Sequence, residues 1–288
     1  MTSQIMGDMI TIGHKDTKTG HMMSELEIPN FGLGVYLMKD PRECKSAVSH
    51  AITCGYRLID TATAYGNEAE VGQAIRDSDI PRDEIFVVTK LRRHHATGYE
   101  EVLQRCQESM EALGIGPIDL YLVHAPPVDI SARKPVWKAM EECLERGWVR
   151  SIGVSNYGER HLNDMLKYAR IMPAVNQIEI NPWLQRPSLV SATIESGATP
   201  MAYSPLARGH KVNDPSLVEA AEILGCTPAQ AAIKWCIDSG AITIPKSSNL
   251  DRIVENFNSR DIDITPAMEY FQSMDENYVS GWDPTVEP

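Results

Sequence analysis

Four side chains with complementary acid–base chemistry stand at or just beyond the ends of three successive apolar runs. Asp60 closes Leu58-Ile59-Asp60, and Tyr65 follows it by five residues. Lys90 closes Val87-Val88-Thr89-Lys90, and His124 closes Leu122-Val123-His124. Singly, each has an ordinary explanation: a helix cap, a loop aromatic, a solvated strand end, a core histidine. Together they form a proton-transfer set. A free phenol has a pKa near 10, too high for ready proton exchange at neutral pH. An adjacent ammonium favours the phenolate and is expected to lower that value. A carboxylate keeps the lysine charged and placed, and an imidazole beside the phenol holds a substrate oxygen. Such a set can protonate an oxygen as negative charge builds on it. It has no electron source of its own, so it calls for a hydride-carrying cofactor.

The elements that must position these groups recur evenly. β-rich apolar runs fall at residues 32–37, 56–60, 85–90, 118–124, 150–154, 175–180, 200–204 and 241–245. Several lack polar/apolar alternation, as expected for parallel strands covered on both faces. Helical patterns occupy residues 42–54, 99–113, 134–146, 159–169, 188–196, 229–238 and 249–256. Asp40-Pro41, Asn181-Pro182 and Thr227-Pro228 supply cap or turn signals. Eight strands alternating with helices leave a closed barrel or an open doubly wound sheet. The single GxG, Gly32-Leu33-Gly34, lacks the third glycine and downstream acid of a dinucleotide fingerprint, which favours the barrel. In a (β/α)8 barrel the C-terminal strand ends carry the chemistry, which is where the four side chains fall. No linker divides the chain, so residues 1–288 read as a single domain. Residues 9–28 read as an N-terminal β-hairpin, and residues 265–288 as a C-terminal helix and loop.

Composition narrows the function. The 288 residues carry 27 Lys+Arg against 39 Asp+Glu, a net charge of −12. That balance disfavours nucleic-acid and anionic-membrane binding. The opening residues lack a secretory pattern, and no apolar stretch reaches the roughly 20 residues of a membrane helix. A cytoplasmic location is expected, with the six scattered cysteines reduced. His94 and His95 lack a third ligand, so no metal site is expected.

The sequence resembles the aldo-keto reductase family over about residues 32–283. The resemblance rests on several ordered motifs: Asp60-Thr61-Ala62-Thr63-Ala64-Tyr65-Gly66-Asn67-Glu68, Gly153-Val154-Ser155-Asn156-Tyr157, Asn176-Gln177-Ile178-Glu179, Tyr203-Ser204-Pro205-Leu206, and Ile244-Pro245-Lys246-Ser247 followed by Arg252-Ile253-Val254-Glu255-Asn256. It implies a (β/α)8 TIM barrel that reduces small carbonyl substrates with NADPH. Tyr65 would be the general acid, tuned by Lys90 and Asp60, with His124 orienting the carbonyl. Ser155, Asn156 and Gln177 would hold the nicotinamide carboxamide, and Tyr203 would stack on its ring. Ser204 and Leu206 would line the pyrophosphate path. Lys246, Ser247 and Arg252 would clamp the 2′-phosphate, with Glu255 and Asn256 near the adenine. A monomer is expected from the same resemblance.

The sequence departs from the family at its substrate pocket. Ala125 follows His124 where many members have tryptophan, Arg92 stands two residues after Lys90 where many have an aromatic, and Tyr36 replaces the commoner tryptophan of the first strand. The pocket is expected to lose aromatic walls and gain a cation, with Arg92-Arg93-His94-His95 as a candidate site for a substrate carboxylate or phosphate. Short covering segments imply an open pocket over which Trp282 could reach. Two other functions fit less of the chain: a cofactor-sensing regulatory subunit on the same fold, and a Schiff-base lyase using Lys90.

Overall fold

A computed structural model describes residues 9–288 of the chain. Its main sheet contains β3 (Leu33–Gly34), β4 (Leu58–Asp60), β5 (Phe86–Leu91), β6 (Leu120–Val123), β7 (Ile152–Ser155), β8 (Val175–Glu179), β9 (Thr199–Tyr203) and β10 (Ile242–Ile244). All neighbours pair in parallel and in sequence order. The ring closes where β10 meets the first strand, through parallel bridges Phe31–Thr243 and Gly34–Lys246. Gly32 N donates to Thr243 O at 3.0 Å and Gly34 N to Pro245 O at 3.0 Å across this seam. The architecture is a (β/α)8 barrel.

Strand parity builds its two layers. Along β5, Phe86 and Val88 point into the barrel and join Leu58, Leu120, Leu122, Val175, Met201 and Ile242 in the inner core. Val87 and Leu91 point outward, against the helical shell. A hairpin of β1 (Met9–Lys15) and β2 (Met22–Pro29) buries Ile12 and Ile28 in the inner core, beside the first residues of β4, β5 and β6. It therefore covers the N-terminal end of the barrel and leaves the other end for chemistry. Fully buried His14 fastens it, with Nδ1 3.0 Å from Met172 O and Nε2 3.2 Å from Ser151 Oγ.

The shell comprises α1 (Pro41–Cys54), α2 (Glu68–Arg76), α3 (Tyr99–Leu113), α4 (Arg133–Glu145), α5 (Glu159–Met165), α6 (Pro187–Glu195), α7 (Pro215–Leu224), α8 (Pro228–Asp238), α9 (Leu250–Phe257) and α10 (Met268–Ser273). The cap signals act locally. Asp40 accepts from Arg42 N at 2.8 Å ahead of α1, and Thr227 and Gln230 form a reciprocal capping box at α8. Asn181-Pro182 makes a turn bridged to Leu184, and α6 begins only at Pro187.

Three expectations change. The first barrel strand is only two residues long, and Tyr36 and Leu37 lie in a turn, Leu37 with φ 64°. Helices α2 and α7 were not legible as periodic segments. In α2 a mid-helix glycine obscures the pattern: a Cβ on Gly72 would lie 1.8 Å from Leu113 O, so glycine is required by the close approach of α3. Helix α5 is shorter than its sequence pattern, ending at Met165 before a turn. Among the described residues no helix is long and apolar enough to cross a membrane.

Candidate active site

The C-terminal strand ends bring all four proton-transfer candidates together. Inward-facing Lys90 is fully buried, and its Nζ lies 2.6 Å from Asp60 Oδ1, 2.8 Å from Thr61 O and 3.3 Å from Tyr65 OH. All three ammonium protons thus have an acceptor in reach. Gln177 Nε2 donates to the other carboxylate oxygen, Asp60 Oδ2, at 2.7 Å. The Tyr65 ring stands edge-on to His124, with centroids 5.7 Å apart. Tyr36 also packs against the Tyr65 ring, tilted, with centroids 5.0 Å apart.

Burial dominates the electrostatics. It pushes the Tyr65 phenol well above its ordinary pKa, and the Asp60 carboxylate adds to the rise. This reverses the expected lowering by Lys90: the ammonium is neutralised at contact by Asp60, and desolvation of a phenolate decides the sign. Burial draws the Lys90 pKa down and the Asp60 pKa up, each opposed by the other at 2.6 Å. His124 falls to about 3, chiefly through burial, with Lys90 and Arg92 contributing. At neutral pH the site therefore presents a protonated phenol and an uncharged imidazole.

A second group of polar side chains continues around the rim. Ser155 pairs with Gln177 across β7 and β8, and its Oγ donates to Gln177 O at 2.8 Å. Asn156, with φ 61°, accepts from Tyr203 OH at 2.8 Å and donates to His124 O at 2.9 Å. After β9, Ser204, Ala207 and Arg208 all have positive φ, of 50°, 44° and 56°. Three left-handed non-glycine residues in five positions store backbone strain of the kind found at ligand sites. Lys246 and Arg252 are exposed, and neither makes an ion pair among the described residues. Buried Ser247 shares a hydrogen bond with Asn249, the cap of α9.

Residues 31–276 match the model of the aldo/keto reductase family. The chain belongs to this family. It is 40% identical over 267 residues to a 9,11-endoperoxide prostaglandin H2 reductase of Trypanosoma cruzi, covering 91% of this chain and 93% of the relative. It is 37% identical over 273 residues to a morphine 6-dehydrogenase of Pseudomonas putida, covering 90% and 92%. The crystal structure of a mutant of Gox0644 in complex with NADPH superposes with a TM-score of 0.84 at 33% identity, covering 97% of this chain and 99% of that one. The protein is an oxidoreductase fold of the aldo/keto reductase type.

Within this aldo/keto reductase, two of the candidate positions already have partners in the fold. Glu255 Oε1 accepts from Thr227 Oγ1 at 2.6 Å, which ties the carboxylate to the cap of α8. Trp282 is about half exposed, and Arg93 lies over its ring at 4.9 Å. The terminal segment is strapped down: Arg93 and Arg133 bond Glu287 and Pro288 O, Arg160 donates to Glu287 O at 2.8 Å, and Arg186 pairs with Asp283 at 2.9 Å. A Cβ on Gly158 would sit 2.0 Å from Thr285 O, so the segment lies directly on that glycine. The segment 283–288 is thus held against the barrel by several arginines.

Sequence reasoning also gave no role to two buried residues of the Tyr65 motif. Asn67 accepts from Thr61 Oγ1 at 2.7 Å and donates to Val35 O and Met38 O at 3.0 and 3.2 Å. Glu68 accepts from Thr89 Oγ1 at 2.6 Å. The signal was a pair of strong polar residues immediately beside a catalytic candidate.

Proposed function

We propose that the protein reduces aldehydes or ketones to alcohols with NADPH, with Tyr65 delivering the proton. The observation that carries this reading is the buried Asp60–Lys90–Tyr65 chain, with contacts of 2.6 and 3.3 Å, beside the His124 ring. The raised Tyr65 pKa keeps the phenol protonated at neutral pH, as a proton donor must be. As negative charge develops on the carbonyl oxygen, Tyr65 OH releases its proton toward it. The nearby ammonium then stabilises the phenolate left behind. Neutral His124 can donate one ring N–H to the same oxygen and fix its orientation.

The donor set also fits the cofactor. Lys246 and Arg252, without an ion pair among the described residues, offer cations suited to the 2′-phosphate, with Ser247 between them in sequence and Glu255 and Asn256 on the adenine side. Ser204 and Leu206 lie on the strained loop that would follow the pyrophosphate. Ser155, Asn156 and Gln177 offer amide and hydroxyl groups to a carboxamide, and Tyr203, held by Asn156, offers a ring face. When bound, NADPH would supply the hydride. The Schiff-base alternative suits Lys90 poorly, because all its donors are directed to Asp60, Thr61 O and Tyr65. We also infer a monomer working as one domain in the cytoplasm.

The test is NADPH oxidation in the presence of a carbonyl panel, with Tyr65→Phe as control. The expected result is turnover by the wild type and its loss in the variant, with NADPH binding intact. NADPH binding without turnover of any carbonyl would favour a sensing role.

A further inference from the structure

Arg92 and Arg93 are neighbours with opposite surroundings. Arg93 is fully engaged: Nε donates to Pro126 O at 2.8 Å, the guanidinium stacks on Trp282, and it pairs with Glu287. Arg92 is exposed, and neither an ion pair nor a side-chain hydrogen bond engages it among the described residues. One arginine anchors the cover; the other is held in reserve at the mouth.

Backbone geometry aims the reserve cation at the site. Phe86, Val88 and Lys90 face the barrel interior along β5, and side chains two residues apart in an extended chain share a face. Arg92 is the first residue after β5, with φ −59° and ψ 136°, and lies one step nearer the opening than Lys90 and Leu91. His124 N donates to Leu91 O at 3.1 Å, which places the ends of β5 and β6 side by side and Arg92 next to His124. Its charge accordingly helps to hold the His124 pKa down, after burial and Lys90. Deeper in the pocket, Lys90 is neutralised by Asp60. On a chain with net charge −12, Arg92 is then a cation beside His124 that no carboxylate neutralises among the described residues.

We propose that Arg92 selects carbonyl substrates bearing an anionic oxygen group, a carboxylate or phosphate, and pairs with that group while the carbonyl lies at Tyr65 and His124. The inference rests on the reductase reading above. A planar guanidinium matches either oxyanion through paired N–H donors. Without it, the overall negative charge would oppose entry of such a substrate.

The experiment compares carbonyls with and without an anionic group: succinic semialdehyde against butanal, and glyceraldehyde phosphate against glyceraldehyde. Wild type, Arg92→Ala and Arg92→Lys are measured with NADPH, alongside binding of the same compounds followed by tryptophan fluorescence. The expected result is a roughly tenfold loss of kcat/KM in Arg92→Ala for at least one charged member, mainly through KM. The neutral members should stay within about twofold, and Arg92→Lys should recover part of the loss. The pair that responds tells carboxylate from phosphate. Equal losses for charged and neutral members, or no loss for either, would overturn the proposal while leaving the reductase reading intact. Charge-dependent binding without turnover by the wild type would overturn the reductase reading and the selection of carbonyl substrates with it, leaving Arg92 only an anion-binding residue, and absence of both would overturn the two together.

Discussion

Gln177 Nε2 donates at 2.7 Å to Asp60 Oδ2, the carboxylate oxygen that Lys90 does not hold. The bond joins β8 to β4 across the barrel, linking the proposed cofactor arc to the proposed proton-transfer set. Gln177→Leu removes this donor and leaves a buried carboxylate oxygen without it. Such a loss costs about 1–3 kcal/mol. The variant is expected to unfold at lower urea concentration, to bind NADPH more weakly and to turn over more slowly. Equilibrium unfolding and steady-state kinetics on the same preparations check this. A variant altered in stability alone would separate Gln177 from the chemistry.

A second carboxyl braces the phenol from the outside of the barrel. Glu68, at the start of α2, accepts from Thr89 Oγ1 at 2.6 Å. Thr63 Oγ1 donates to Lys90 O at 3.0 Å and meets Ser109 Oγ at 3.2 Å, and that serine also faces Glu68. The turn bearing Tyr65 is thereby tied to the strand bearing Lys90. Burial raises the Glu68 pKa, so Glu68→Gln, which retains an acceptor, is expected to stay within about 1 kcal/mol of wild type. Glu68→Ala orphans buried hydroxyls and is expected to lose about 2–3 kcal/mol, with lower kcat at nearly unchanged NADPH affinity. Urea titration with single-turnover kinetics distinguishes the two. Equal behaviour of Gln and Ala would remove the hydrogen bond from the explanation.

The barrel and the placement of its chemistry were legible for a simple reason. Apolar runs ending in Asp60, Lys90 and His124 encode strand, parity and site together. The helix at α2 was not, because Gly72 answers to the backbone of Leu113, a contact outside the local pattern. The β-rich residues flanking Tyr36 read as strand, but Asn67 donates to Val35 O and Met38 O where the chain turns. The sign of the Tyr65 shift escaped for a related cause. Sequence names the neighbouring ammonium, whereas burial and the 2.6 Å neutralisation by Asp60 exist only in three dimensions. The arginine strap over the terminal segment joins residues 97 to 194 positions apart, beyond any motif.

Lys246 and Arg252 are expected to govern cofactor choice. Both are exposed and make no ion pair among the described residues, so neutralising them breaks none of the ion pairs described there. Lys246→Met and Arg252→Met are each expected to weaken NADPH binding roughly tenfold, as loss of one partly solvated phosphate contact. NADH, which lacks the 2′-phosphate, should bind with affinity changed less than about twofold. Raising salt should shrink the difference between the cofactors in the wild type. Fluorescence titrations with both cofactors provide the check. A parallel loss for NADPH and NADH would place these cations elsewhere than at a 2′-phosphate.

The shifts at Tyr65 and His124 set opposite pH behaviour for the two directions of reaction. With its pKa well above the ordinary phenol value, Tyr65 stays protonated through neutral pH, so reduction should show no basic limb from this group below about pH 10. Alcohol oxidation needs the phenolate and should instead climb as pH rises. His124, lowered to about 3, should give reduction no acidic limb between pH 5 and 8 by itself. Stability carries the complementary sign. From pH 6.5 down to about 3 an unfolded His124 binds a proton that the folded one does not, so stability falls with falling pH, by up to about 1.4 kcal/mol per pH unit for one full proton. His124→Gln should flatten that slope, although buried His14, lowered in the same way, keeps its own share. Urea unfolding across this range measures the difference, and an unchanged slope would mean that His124 takes up its proton in the folded protein.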